Sequence, residues 1–157
     1  MSEKLERTVL VCEDDKAMVR IFQFLLRQQG IRNVVTTGSG DKAADLARLH
    51  KPALILLDLM LPGKDGLTVL EDLKGNDELK LIPVIVVSGK ESHEQVQQAM
   101  MAGAIDYVIK PFEPMDLGAR IKNFLDTLTE PAPNEPAPPD QGEARPAGGP
   151  PAAGGLR

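Results

Sequence analysis

Residues Ala53-Leu54-Ile55-Leu56-Leu57 form an apolar run that stops on Asp58, and Leu59-Met60-Leu61-Pro62-Gly63 then leads into a turn. A run of Leu and Ile without polar alternation reads as a strand covered on both faces, as strands are inside parallel sheets. Pro62-Gly63 marks the loop. Asp58 is thereby placed at the carboxyl end of a central strand, at the rim where open α/β sheets bind ligands. A plainer reading, that Asp58 caps the helix that follows, fits this segment equally well when it is taken alone.

The rest of the chain repeats the same pattern. Thr8-Val9-Leu10-Val11-Cys12 is a short apolar run that ends on Glu13-Asp14-Asp15, and Met18, Ile21, Phe22 and Leu25 then fall on one face of a helix stopped by Gly30. Val34-Val35-Thr36-Thr37 reads as a second strand, and Asp41 to His50 as a helix packed through Ala43, Ala44 and Ala47. After the Asp58 stretch, Leu67, Leu70 and Leu73 give a third helix ending near Gly75-Asn76. Pro83 to Ser88 is a fourth strand, with Pro tolerated at its first position, and Val96, Ala99 and Met100 form a helical stripe closed by Gly103. Ile105 to Ile109 is a fifth strand followed by Lys110-Pro111. A last helix carries Leu117, Ile121, Phe124, Leu125 and Leu128, with Pro114 in its first turn. Five strand–helix units with short connections predict an α/β fold built on a doubly wound parallel sheet.

Composition narrows the class. The 157 residues allow one domain of ordinary size, and 42% apolar with only 3% aromatic residues means an aliphatic core. A net charge of −5 argues against non-specific nucleic-acid binding. One cysteine excludes an internal disulfide and fits a reducing compartment; Cys12 reads as a small buried residue rather than a reactive thiol. No stretch reaches the roughly 20 apolar residues of a spanning helix, and Met1 to Arg7 has no apolar signal core, so a cytoplasmic location is expected. His50 and His93 have no second ligand at metal-binding spacing and read as surface residues. From Pro131 to Arg157, 19 of 27 residues are Pro, Ala or Gly, which predicts one folded domain over 1–130 and a disordered tail over 131–157 with no DNA-binding module.

In a parallel sheet all strand carboxyl ends share one rim, so Glu13, Asp14, Asp58, Ser88 and Lys110 can converge. Taken singly each has a dull explanation: a solvated acidic loop, a capping serine, a surface lysine. Their joint occurrence at the ends of strands one, three, four and five is harder to dismiss. Two carboxylates 4 Å apart repel by about 4 kcal/mol at an effective dielectric of about 20. Three in one pocket therefore call for a cation, and hard oxygen donors favour Mg²⁺. With a lysine opposite for phosphate and a rotatable hydroxyl, the set describes transfer of a phosphoryl group onto a carboxylate.

At these residues the chain resembles the receiver domain of two-component response regulators, of the single-domain chemotaxis-regulator type. The motifs are Glu13-Asp14-Asp15, Asp58-Leu59-Met60-Leu61-Pro62-Gly63-Lys64-Asp65-Gly66, Ser88-Gly89 and Tyr107-Val108-Ile109-Lys110-Pro111-Phe112, spread over about residues 7 to 129. The resemblance implies a flavodoxin-like (βα)5 fold with strand order 2-1-3-4-5. It implies Asp58 as phosphoacceptor, Mg²⁺ held by Asp14 and Asp58 directly, by Glu13 through water and by the Met60 backbone carbonyl. Ser88 would be the switch hydroxyl, Lys110 the phosphate-pairing amine in a cis Lys110-Pro111 unit, and Tyr107 the aromatic switch. Met60 and Lys90 hold the positions that tune dephosphorylation in the family; Glu13, Ser88 and Gly89 are variants of its commoner Asp, Thr and Ala. The implied activity is phosphoryl acceptance and slow self-dephosphorylation rather than turnover as an enzyme. The implied partners are a sensor histidine kinase or histidine phosphotransfer protein, and a downstream protein that meets the face of helix four, strand five and helix five. A relay shuttle returning phosphate to a histidine phosphotransfer protein, and a receiver joined to an output domain by the Ala/Pro-rich segment, are the alternatives.

Two rivals fail on context. Gly38-Ser39-Gly40-Asp41-Lys42-Ala43 fits the G-x-G-x-x-A dinucleotide pattern, with Asp58 about 20 residues on, but it sits on the second unit and leaves Glu13, Asp14, Ser88 and Lys110 unexplained. A phosphatase resembling the haloacid dehalogenase class needs a second Asp two residues after the first, where this chain has Met60.

Overall fold

The computed structural model describes residues 7–128; the proposed tail over 131–157 lies outside them. The chain divides into units Met1–Asp126 and Thr127–Arg157, and the first carries what is described below save the last two residues of the final helix.

Five strands, β1 (Thr8–Cys12), β2 (Asn33–Thr37), β3 (Leu54–Leu57), β4 (Val84–Ser88) and β5 (Asp106–Ile109), form one parallel sheet in the order β2-β1-β3-β4-β5. Between and after them run α1 (Lys16–Gln28), α2 (Ala43–His50), α3 (Gly66–Lys74), α4 (His93–Met101) and α5 (Pro114–Leu128). Every residue of β3 and β4 is buried, as non-alternating strands at the centre of a covered sheet must be. Leu10, Cys12, Ile55, Leu57, Val84 and Val86 pack with Ala43, Ala47, Leu70, Leu73 and Ala99 on the face under α2, α3 and α4. Their sequence neighbours Val9, Val11, Leu54, Leu56, Ile85 and Val87 point the other way and are equally buried, as are Phe22, Leu25 and Leu26 of α1 and Leu117, Ile121 and Leu125 of α5.

Helix starts are set by side-chain oxygens. Asp15 Oδ1 accepts from the N–H groups of Ala17 and Met18, Ser92 Oγ from Gln95, and Asp65 Oδ2 from Leu67 and Thr68. Helix α3 is therefore capped by Asp65, and Asp58 is left free of that duty. Gly30 and Gly103 take positive φ values of 88° and 116° just past α1 and α4, where a left-handed residue closes the helix.

The structure shifts four sequence expectations. Asp41 lies in a 3-10 turn (Gly40–Lys42) capped by Ser39, so α2 starts at Ala43. Strand β4 starts one residue after Pro83, whose carbonyl still accepts from Ile55 N–H at 2.9 Å. Strand β5 starts at Asp106, because Ile105 gives its N–H to Val84 but turns its side chain outward. Met100 is 41% exposed: α4 meets the sheet through the small Ala99 and leaves the wider part of its stripe uncovered. His50 and His93 are both exposed, as expected. Leu128, the last expected core residue of α5, has no described side chain.

Gly40 is required by packing: a Cβ there would run into the Lys64 carbonyl oxygen. The second glycine of the dinucleotide-like pattern thus serves a close loop-to-loop approach.

Candidate phosphoacceptor site

Parallel strands deliver their last residues to one rim, and the rim here is acidic. Glu13 and Asp14 follow β1, Asp58 follows β3, Ser88 ends β4 and Lys110 follows β5. Asp58 stays in register because its N–H continues the ladder to the Cys12 carbonyl at 3.0 Å, and Lys110 because its N–H bonds the Ser88 carbonyl at 2.8 Å. The Lys110-Pro111 peptide is cis, as the family resemblance implies.

Lys110 Nζ stands 2.8 Å from Glu13 Oε1 and 3.0 Å from Asp58 Oδ2. The remaining oxygens are held by backbone: Asp58 Oδ1 accepts from Met60 N–H at 2.9 Å, and Glu13 Oε2 from Asp15 N–H at 3.1 Å. Asp14 is exposed, yet one oxygen each from Glu13, Asp14 and Asp58 lie within 4.8 Å of one another. Among the described residues Lys110 is the one cation paired with this cluster, and it meets Glu13 and Asp58 but not Asp14, so negative charge is in excess. Glu13 and Asp58 are only 2% and 5% exposed, which makes that imbalance expensive in solvation terms.

The ionisations follow. Burial raises the Glu13 carboxyl above its usual range, against the hydrogen bonds from Lys110 and from Asp15 N–H that favour its charged form. Burial alone would lower Lys110, but its bonds to Glu13 and Asp58 more than offset this and raise it. Lys110 is therefore an ammonium at neutral pH. The site is a set of hard oxygen donors with surplus negative charge, and it fits a small divalent cation such as Mg²⁺.

Ser88 is fully buried, and its Oγ accepts from Lys90 N–H at 3.3 Å. Tyr107 is half-buried, and its hydroxyl donates to the Lys90 carbonyl at 2.6 Å. Burial raises the Tyr107 hydroxyl, the neighbouring Ser88 hydroxyl draws it down, and the Asp58 charge raises it further. Met60 has its side chain 57% exposed at the lip. The residues singled out in the sequence are thus brought together. What the sequence did not reveal is Lys90 as the joint between Ser88 and Tyr107, because both bonds use its backbone.

The model of the response regulator receiver domain matches residues 9–122. The chain belongs to that family. A curated relative, the alkaline phosphatase synthesis transcriptional regulatory protein PhoP of Bacillus subtilis, is 32% identical over 121 residues, covering 77% of this chain. The chain spans only 49% of that relative's length. Among solved structures, the Mn²⁺-bound response regulator Rcp1 is 30% identical, with a TM-score of 0.64 over 80% of this chain and 96% of that one. The phosphorylated cyanobacterial phytochrome response regulator RcpA is 31% identical, with a TM-score of 0.65 over 76% and 91%. The receiver fold and the acidic pocket suited to a divalent cation are thus shared with a two-component signalling family. Among the described residues no helix is long and apolar enough to cross a membrane.

Proposed function

We propose that this receiver domain accepts a phosphoryl group on Asp58 and passes the event on by binding a protein partner itself. A carboxylate oxygen of Asp58 attacks phosphorus of a phosphohistidine, on a sensor kinase or a histidine phosphotransfer protein, or of a small acyl phosphate. The bond from phosphorus to the donor nitrogen or oxygen breaks as the aspartyl phosphate forms. Asp14, Asp58 and the Met60 carbonyl would hold Mg²⁺, with Glu13 reaching it through water, and the ion would supply positive charge against the carboxylates and the phosphoryl oxygens. Lys110, already on Asp58 Oδ2, pairs with the phosphoryl group in place of the free carboxylate. The observation that carries the reading is the convergence of the Glu13, Asp14 and Asp58 carboxylates at the rim, with the Lys110 ammonium held by Glu13 and Asp58.

Ser88 is the switch. Turning its hydroxyl to a phosphoryl oxygen gives up Lys90 N–H, and Lys90 also holds Tyr107. Lys110 exchanges one charged partner for another, and the Ser88 contact adds a charge-assisted bond of about 1.5–3 kcal/mol, enough to shift a two-state equilibrium about tenfold or more. The responding face is α4–β5–α5, where Met100, Ile105 and Ile109 are 41%, 42% and 39% exposed.

The test is intact mass after incubation with acetyl phosphate and Mg²⁺. One phosphoryl adduct is expected, absent with EDTA and absent in Asp58→Asn. Wild-type protein that stays unmodified under these conditions overturns the reading.

A further inference from the structure

Beside the carboxylates, a cavity of about 350 Å³ opens between the start of α1 and the end of β2, lined among others by Glu13, Asp14, Lys16, Arg20, Thr37 and Gly38. It shares Glu13 and Asp14 with the acidic site; Asp58 does not line it, but its carboxylate lies within 4.8 Å of theirs. Its two cations are one helical turn apart on α1, and neither Lys16 nor Arg20 has a hydrogen-bond or ion-pair partner among the described residues. The nearest acid in sequence, Asp15, turns one oxygen to the N–H groups of Ala17 and Met18. The Thr37 hydroxyl is taken up with Ser39. Elsewhere around the site the cations have partners: Lys90 lies 3.9 Å from Asp65, Lys64 is 2.8 Å from Asp72, and Lys110 holds Glu13 and Asp58.

The chemistry of transfer says what would use such a wall. An in-line displacement puts the leaving oxygen on the far side of phosphorus from Asp58, and any substituent on the leaving group must then lie against one side of the cleft. The side with two uncommitted cations and open volume is the α1–β2 side. We propose that this cavity is a subsite for the group left behind by a small phosphodonor, and that Lys16 and Arg20 favour acyl phosphates carrying a second anionic group. The inference rests on phosphoryl acceptance by Asp58, and adds a preference among donors that the acidic site alone does not give. Lys16 and Arg20 are exposed, so the preference is modest and falls with salt.

Succinyl phosphate and butyryl phosphate differ only in a terminal carboxylate against a methyl, and make the comparison direct. With the full chain and Mg²⁺ at low ionic strength, initial phosphorylation of Asp58 by succinyl phosphate is expected to exceed that by butyryl phosphate by about fivefold. The ratio should fall to about one in Lys16→Gln/Arg20→Gln and return in the charge-keeping Lys16→Arg/Arg20→Lys. Succinyl phosphonate, which cannot transfer, should shift the amide resonances of Lys16, Arg20 and Thr36 to Gly38 in wild type and not in the glutamine pair. A wild-type ratio near one, or a preference that survives the glutamine pair, overturns the subsite while leaving the phosphoacceptor reading intact. No adduct from either donor overturns both.

Discussion

The Tyr107 hydroxyl donates to the Lys90 carbonyl at 2.6 Å while the Lys90 N–H donates to Ser88 Oγ at 3.3 Å, so side chains of β5 and β4 meet through one loop residue. Bonds in series transmit a change of partner: when Ser88 turns away, the loop residue whose carbonyl anchors Tyr107 loses the restraint on its N–H. Tyr107→Phe keeps the ring and removes the donor. It is expected to lower stability by about 1 kcal/mol and to speed hydrogen exchange at Lys90, Glu91 and Ser92, with phosphorylation of Asp58 retained. Unchanged exchange in that loop would sink the coupling.

The Lys110 ammonium is what makes the buried carboxylates tolerable without a metal ion. Lys110→Met leaves Glu13 and Asp58 facing each other, at a cost of about 3–5 kcal/mol when measured by denaturant unfolding in EDTA. Asp58→Asn should do the opposite. It removes one of the like charges and keeps an oxygen for Met60 N–H, but sets its amide nitrogen against Lys110 Nζ, so the gain is held to about 1 kcal/mol or less at neutral pH. Added Mg²⁺ should stabilise the wild type and do much less for Asp58→Asn. A Lys110→Met protein as stable as wild type in EDTA would contradict this account of the site.

The strand ends were the most legible part of the sequence, because a buried strand at the sheet centre has no freedom to alternate. Leu54 to Leu57 and Val84 to Ser88 fell where their apolar runs placed them, and Asp58 and Ser88 came with them. Less legible were positions decided by contacts across the fold. The outward turn of Ile105 and the exposure of Met100 depend on how closely α4 approaches the sheet, which spacing along the chain does not encode. The pairing of Lys110 with Glu13 joins residues 97 positions apart, and only the shared rim suggested it. The capping of α3 by Asp65 had a local signal, an acid just before the helical stripe, that the interest of Asp58 overshadowed.

Two glycines near the site should respond unequally to an added methyl. A Cβ on Gly66 would fall on the Leu59 backbone and within 2.7 Å of the Asp58 carbonyl oxygen, so Gly66→Ala must move the loop that carries Asp58. A loss of about 2–4 kcal/mol is expected, with slower phosphorylation by acetyl phosphate. On Gly89 the nearest atom is Met60 Sδ at 3.9 Å, and Gly89→Ala should stay within about 0.5 kcal/mol of wild type. Thermal unfolding of the two variants side by side checks the contrast; equal effects would mean that the loop after Asp58 is looser than its packing indicates.

Cys12 offers a probe of how firmly the rim is held. It ends β1, is 1% exposed, and its carbonyl accepts the Asp58 N–H, so the thiol is reached only by opening the strands that carry Glu13 and Asp58. Burial pushes the thiol up to about 12, which leaves about one part in ten thousand as thiolate at pH 8. Both effects act in the same direction. A disulfide reagent at pH 8 should label the native protein orders of magnitude more slowly than the denatured chain, at a rate that follows the population of the open form. Lys110→Met should speed labelling in EDTA, because unpaired charge at the rim favours opening. Mg²⁺ should slow labelling of wild type, because an ion bound only by the closed rim lowers the open population. Rapid labelling of native wild type would show that β1 opens at its carboxyl end far more readily than its burial allows.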